Sequence, residues 1–316
     1  MVNKKTLAAS FVSLALIIQM GCTTDNNTSP TNNEPNNQEK VTDPGENQEK
    51  VEEQALLEFR NLITNNPEIS SVIDFIVNNL SKVSMENASV MILALEDLQK
   101  ENLPALEEKF AFSEDIQQKF WNLYLEGINV TDPEAITDSE LKNLVMETVN
   151  SGYKIETAEG MYFPIIDYQF YKKFSSNATQ EIQDYIDIMA AESNQVPAKD
   201  AALVIGWDEI VKRALKQEEF LAQYQNSEML EEISELHNKY QIFTLFGLNN
   251  TPLFNYETNK IDPEAKKIYL DAIQTEGSGS NYIELLNSFI DILEKNNDTL
   301  TNEVDAFRKE IVDFPS

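Results

Sequence analysis

Apolar residues recur at i, i+3, i+4 and i+7 at Ile69, Val72, Ile73, Ile76, Val77 and Leu80. That spacing places them on one face of a helix. The same stripe runs through Ala55, Leu56, Phe59, Leu62 and Ile63, through Ile116, Phe120, Leu123 and Tyr124, and through Leu141, Leu144, Val145 and Thr148. It returns at Ile182, Tyr185, Ile186 and Met189, at Trp207, Ile210, Val211, Ala214 and Leu215, and at Met229, Ile233, Leu236, Tyr240 and Phe243. Tyr282, Leu285, Leu286, Phe289 and Leu293 close the series. Thr137 with Glu140 reads as a capping box, and Asp132-Pro133 and Asp262-Pro263 set an acidic cap before a first-turn proline. Gly127 and Gly247 fall at stops. The pattern predicts an all-α fold, an irregular array of about ten amphipathic helices.

One stretch departs from that period. Tyr153-Lys-Ile-Glu-Thr alternates, Ala158-Glu159-Gly160 offers a turn, and Met161-Tyr-Phe-Pro-Ile-Ile continues extended, which predicts a small β-hairpin over about 153–166. Pro164 has no N–H, so the second strand is an edge or ends there. Tyr162, Phe163, Tyr168, Phe170 and Tyr171 make this the most aromatic region of the chain. Tyr162, Tyr168 and Tyr171 with Asp167 form the candidate face for a ligand or partner. Trp207 and Asp208 join it if the fold brings them near.

Polarity changes abruptly before the helices. From Thr23 to Lys50 the chain is Asn, Thr, Ser, Pro, Glu and Gln with almost nothing apolar, too little to offset the entropy of ordering. Asn-Gln-Glu-Lys-Val at 37–41 recurs at 47–51. This reads as a flexible spacer with an r.m.s. reach of about 30 Å. Ahead of it, Lys4 and Lys5 precede an apolar run from Leu7 to Ile18 and then Gly21-Cys22. That run is too short to span a bilayer, which takes roughly 20 apolar residues, and it has the order of a secretory signal peptide.

The domains predicted are therefore a signal peptide at 1–21, a disordered tether at 22–50, and a helical domain at 51–316 with a sub-boundary near 150. Cys22 is the chain's single cysteine, so no internal disulfide can form. A lone cysteine after a small residue at the end of a signal peptide resembles the lipobox of bacterial lipoproteins, although Gln19 stands where that family usually has leucine. The resemblance implies diacylglycerol on the Cys22 thiol and an anchor in the outer leaflet of the cell membrane. Long polar tethers after the cysteine resemble those of Gram-positive lipoproteins.

Charge narrows the partners. With 24 Lys and Arg against 54 Asp and Glu the formal charge is −30, and loss of the lysine-bearing leader makes it more acidic still. Such a surface opposes nucleic acid and anionic lipid alike, so no nucleic-acid partner is expected and the bilayer is engaged through acyl chains alone. His237 is the only histidine, which leaves no His-Glu-x-x-His or cysteine cluster. There is no phosphate loop, and Gly277-Ser-Gly-Ser lacks the nucleophile-elbow pattern. No metal and no cofactor are expected. Glu228, Glu231, Glu232 and Glu235 share a helix face that reads as solvated rather than as a calcium site.

Three resemblances remain. Glu219-Phe-Leu-Ala-Gln-Tyr-Gln-Asn-Ser resembles the turn of tetratricopeptide units, without a second copy at a fixed period. Glu159-Gly-Met-Tyr-Phe-Pro-Ile-Ile-Asp-Tyr, Ala201-Ala-Leu-Val-Ile-Gly-Trp-Asp-Glu and Asn249-Asn-Thr-Pro-Leu-Phe resemble segments of uncharacterised lipoproteins of spore-forming Gram-positive bacteria. Ala191-Glu192-Ser193 resembles the Glu-Ser pair of lytic transglycosylases, which implies Glu192 as a general acid toward a glycosidic oxygen; that family's downstream Gly-Leu-Met-Gln segment is missing. The expectation is a lipid-anchored extracytoplasmic binding or scaffolding protein of the cell envelope. Its partner would be another envelope protein or cell-wall glycan. The alternative is a peptidoglycan-cleaving enzyme using Glu192.

Overall fold

The computed structural model describes residues 44–111, 114–276 and 279–312. Within them lie twelve α-helices and three two-stranded antiparallel sheets. The all-α expectation holds, with two hairpins more than the sequence pattern revealed. Cys22 and the rest of the segment before residue 44 lie outside the described residues, as do 277–278 of the glycine-serine linker.

Helix α1 (Pro44–Thr64) starts earlier than the tether reading allowed, so the second Asn-Gln-Glu-Lys-Val copy is helical. Gln48, in the added stretch, donates its amide to the Lys82 carbonyl at 3.2 Å, and Glu52 adds a firmer tie. One carboxylate oxygen accepts from Ser84 N–H at 2.8 Å, Ser84 Oγ at 2.7 Å and Asn87 Nδ2 at 2.6 Å, which ties α1 to the start of α3 (Met85–Ala111). Those bonds, Asn87's first, hold the Glu52 carboxyl below its ordinary range. Helix α2 (Ile69–Asn79) buries Ile69, Val72, Ile73 and Ile76, the face its spacing predicted. Next come α4 (Glu114–Leu125) and α5 (Ser139–Asn150). The α5 cap is Asp138, whose carboxylate accepts from Leu141 N–H at 2.9 Å, one residue on from the capping box expected at Thr137. Asp132-Pro133 starts only a 3₁₀ turn.

Strands β1 (Tyr153–Ala158) and β2 (Met161–Ile166) pair from Tyr153 with Ile166 to Ala158 with Met161. β2 runs through Pro164, which a two-stranded sheet tolerates because each strand is an edge. The hairpin lies on α3, with Tyr153, Ile155, Tyr162, Pro164 and Ile166 turned inward. A short helix α6 (Tyr168–Tyr171) leads to α7 (Gln180–Asn194). Helices α8 (Trp207–Gln223) and α9 (Leu230–Phe246) form an antiparallel pair joined by the turn at 224–229. Asp262 caps α10 (Pro263–Glu276), accepting from Glu264 and Ala265 N–H at 2.8 and 3.1 Å. Ser280 caps α11 (Asn281–Lys295), and α12 (Asn302–Ile311) ends the described chain.

The additional sheets are β3 (Ala198–Lys199) with β4 (Ala202–Leu203), and β5 (Gly247–Leu248) with β6 (Thr251–Pro252). Two-residue strands are too short to show a period, and for that reason the sequence pattern missed them. All three hairpin turns converge. The Asp200 carboxylate accepts from Glu159 N–H at 2.9 Å, the Asp200 carbonyl from Asn250 Nδ2 at 2.7 Å, and the Ala201 carbonyl from Asn250 N–H at 2.8 Å. Lys199 pairs with Glu156 at 2.6 Å across two of them. At Gly247, φ is +69° and a Cβ would lie 2.3 Å from the Thr251 carbonyl, so only glycine fits there.

Two hydrophobic clusters build the core. The first gathers residues from Phe59 to Ile233 and includes the hairpin β1–β2; the second gathers residues from Ile205 to Val312. Leu236 on α9 packs against both, so the clusters meet around α8 and α9.

Candidate functional site

Position 192 lies in the last turn of α7, where the helix face turns from the first cluster toward α8 and α9. Glu192 is nearly buried, its side chain 14% exposed, and it faces Arg213 of α8 and Tyr240 of α9. Tyr240 donates its hydroxyl to Glu192 Oε1 at 2.5 Å, and Arg213 Nη1 donates to the same oxygen at 3.3 Å. Arg213 also donates to the Gln195 carbonyl at 2.9 Å and, through Nε, to Glu209 Oε1 at 2.9 Å. The cluster thus holds one buried cation against two carboxylates. Burial lifts the Glu192 carboxyl above its ordinary range, with the Tyr240 hydrogen bond and the Arg213 charge opposing the lift. Burial and the neighbouring Glu192 raise the Tyr240 hydroxyl too.

Above this centre lies a surface groove of about 610 Å³ between α7, α9 and the strand β3. Met189, Val196, Pro197, Ala198 and Leu236 give it an apolar floor, and Glu192, Glu232, Glu235 and Lys239 stand around it. Glu232 reaches beyond the groove. It accepts from Lys100 at 2.8 Å and from the Tyr185 hydroxyl at 3.0 Å, which joins the rim to a buried network on α3.

That network takes up the rings expected to form a face. Glu96, itself buried, accepts from the Tyr168 hydroxyl, from the Tyr185 hydroxyl at 2.5 Å and from Lys100 at 2.8 Å. Gln99, also buried, accepts from the Tyr171 hydroxyl and donates to the Ser151 carbonyl at 2.6 Å. Gly152 makes room for it: φ is +73° and a Cβ there would meet Gln99 Nε2 at 2.5 Å. Tyr162 stacks on Phe120 with ring centres 5.0 Å apart.

Tyr162, Tyr168 and Tyr171 are therefore buried in the first cluster and give their rings to the fold rather than to a surface. Asp167 caps α6 by accepting from Gln169 N–H at 3.1 Å. Trp207 is buried in the second cluster, edge-on to Tyr269 at 6.3 Å, so it belongs to a different core from the tyrosines. Asp208 is exposed beside it, along a separate groove between α8 and α10.

The Glu-Ser pair also divides. Glu192 turns to Arg213, while Ser193 accepts from Tyr168 N–H at 3.2 Å and is part of the hairpin's support. Sequence reasoning missed Arg213, Tyr240, Glu96 and Gln99. Only the Glu209 to Arg213 spacing of four on one helix signalled a pair, and it gives no hint of the third partner, Glu192. Among the described residues no group of three or more His, Cys, Asp or Glu is arranged to hold a metal ion, and no helix is long and apolar enough to cross a membrane. No protein-family model matches the chain, and no curated protein and no solved structure matches it either.

Proposed function

We propose that this chain is a lipid-anchored extracytoplasmic protein of the bacterial cell envelope that binds or scaffolds a partner, with the groove over Glu192 as its binding surface. One observation favours binding over catalysis: Glu192, the sharpest chemical group at the groove, is committed to Arg213 and Tyr240. A carboxylate whose acceptor oxygen is already taken by a guanidinium and a phenol suits charge compensation and an ordered groove wall. The anchor rests on Gly21-Cys22 after the apolar run. Fractionation of cells should find the wild type with membranes and Cys22→Ala released or unprocessed. An unmodified Cys22 thiol in mass spectrometry of the wild type would remove the anchor. Glu235→Arg, a change at the exposed rim, should cut capture of the groove's partner from crosslinked membranes while leaving the melting temperature unchanged. Equal capture would place the binding surface elsewhere.

A second reading keeps peptidoglycan cleavage, because burial raises the Glu192 carboxyl and both of its bonds fall on Oε1. A general acid toward a glycosidic bond needs such a raised value. Purified wall glycan incubated with wild type and Glu192→Gln separates the readings. Binding predicts no release of soluble fragments by either, and release by the wild type alone would reverse the choice.

A further inference from the structure

Among the described residues, two exposed aromatic rings stack on each other on α4 and not on the hairpin. Trp121 is 43% exposed, Tyr124 62% and Leu125 65%, and the Trp121 and Tyr124 rings stack with centres 5.4 Å apart. Single exposed apolar side chains are ordinary, but two stacked rings and a leucine on one helix turn are a patch. The opposite side of α4 explains why these rings face water. Ile116 and Phe120 are buried against the first cluster, and Gln117 is locked to the hairpin, its amide donating to the Tyr162 carbonyl and accepting from Tyr162 N–H, both at 2.8 Å. Helix α4 therefore cannot roll to hide Trp121.

Beside the rings, Gln118 and Asn122 lie one turn apart and exposed, their amides bonded to each other at 3.1 Å. The five side chains so grouped carry no charge, and the exposed Glu126 borders them after Leu125. The nearest cation on the helix, Lys119, is held by Asp115 at 2.8 Å and Glu140 at 2.6 Å.

We propose that the Trp121–Tyr124 face binds a neutral pyranose glycan. The C–H faces of a sugar ring carry partial positive charge and complement the negative faces of aromatic rings. Side-chain amides supply both donors and acceptors for sugar hydroxyls. Charge disfavours two competing occupants. A second copy would bring another chain of formal charge −30, and anionic lipid or another polyanion is repelled for the same reason. The inference rests on the proposed envelope location only for the supply of a wall polymer. Binding is measured in solution, so failure of the anchor and failure of the glycan site are separate results.

The test is titration of the full chain with a β-1,4-linked N-acetylglucosamine hexamer, followed by calorimetry in every variant and, where Trp121 is present, by tryptophan emission and its quenching by acrylamide. Trp207 is buried, so the change reports Trp121. The expected result is a blue shift and loss of quenching with a Kd below about 1 mM, weakened about tenfold or more in Trp121→Ala and less in Tyr124→Ala. Both variants should keep the wild-type melting temperature, because the rings they remove are exposed. The proposal is overturned by a wild type that gives no saturable change, or by Trp121→Ala binding as tightly as the wild type. It is overturned equally by a patch found to be covered: a concentration-dependent dimer in the wild type that Trp121→Ala abolishes.

Discussion

Two glutamines are fully buried, Gln99 on α3 and Gln217 on α8, and they are treated in opposite ways. Gln99 donates to Ser151, accepts from Tyr171, and its backbone carbonyl takes the Tyr153 hydroxyl at 2.8 Å. Neither amide atom of Gln217 has a hydrogen-bond partner, and Arg308 Nε in the second half of the chain is likewise unpartnered. A buried amide without partners costs about 1–3 kcal/mol, whereas a satisfied one is worth about 1 kcal/mol. The first cluster is thus built around a closed polar network of Glu96, Gln99 and four tyrosines, with Lys100 at its edge. On α8 the Gln217 amide carries polar cost instead, one turn from the hydrogen-bonded Arg213.

The largest expected effect strikes that closed network. Tyr171→Ala removes a fully buried ring and its bond to Gln99, and should cost about 3–5 kcal/mol. Tyr162→Ala and Tyr168→Ala should fall in the same range. Denaturant midpoints measure this directly, and a Tyr171→Ala midpoint within error of the wild type would mean that the ring is not part of a core.

Next comes the ion pair at the groove. Arg213→Met leaves Glu192 nearly buried without its cation and should cost about 3 kcal/mol, while the double change to Met at both positions should cost much less. The pH dependence of the single variant carries the mechanism. The Glu192 carboxyl is already raised by burial, so the folded state holds a proton that the unfolded state has released, and stability from this group grows as pH falls toward 4.5. Loss of Arg213 widens that gap, so the penalty of Arg213→Met should shrink on acidification. A penalty constant from pH 8 to pH 5 would show that the guanidinium acts by packing and not by charge.

The two glutamines sharpen the comparison at smaller amplitude. Gln99→Met strands the Tyr171 hydroxyl and the Ser151 carbonyl and should cost about 1–3 kcal/mol. Gln217→Met strands nothing and should be neutral or stabilising by about 1 kcal/mol. Equal losses at both positions would contradict the asymmetry on which the contrast rests.

How much of this was readable beforehand follows from the period of each element. The stripes at Ile69–Leu80 and Tyr282–Leu293 gave helix faces that the structure buries, because helices of three turns or more repeat their pattern. The hairpin at Tyr153–Ile166 showed through alternation, but Ala198–Leu203 did not, since its turn rests on Asp200 and Ala201 at φ of +50° and +56° rather than on glycine. The site was less readable. A run of tyrosines has the same composition whether it lies inside or outside, and what decided the matter was Glu96 and Gln99 waiting on α3, seventy residues upstream. Arg213 similarly finds Glu192 only after α7 and α8 have packed.

The smallest expected effect belongs to His237. It lies on α9, its Nε2 3.2 Å from Gln241 Nε2 and its ring 5.9 Å from that of Tyr282 on α11, while Glu218 is the charged group facing it from α8. Burial pushes the imidazole below its ordinary value of 6.5, and the Glu218 carboxylate offsets only part of that. The unfolded chain therefore takes up a proton at pH values where the folded chain refuses it. Stability from this site is complete above pH 6.5 and declines as pH falls below it, the opposite sign to Glu192. Glu218 has its own duty, accepting from Tyr282 N–H at 2.9 Å and from the Ser280 hydroxyl, so it cannot turn to meet a new imidazolium. His237→Gln should flatten the stability profile between pH 7 and pH 5.5 and leave the midpoint at pH 8 nearly unchanged. A variant with the same slope as the wild type would assign that slope to the carboxylates and leave His237 a silent member of the core.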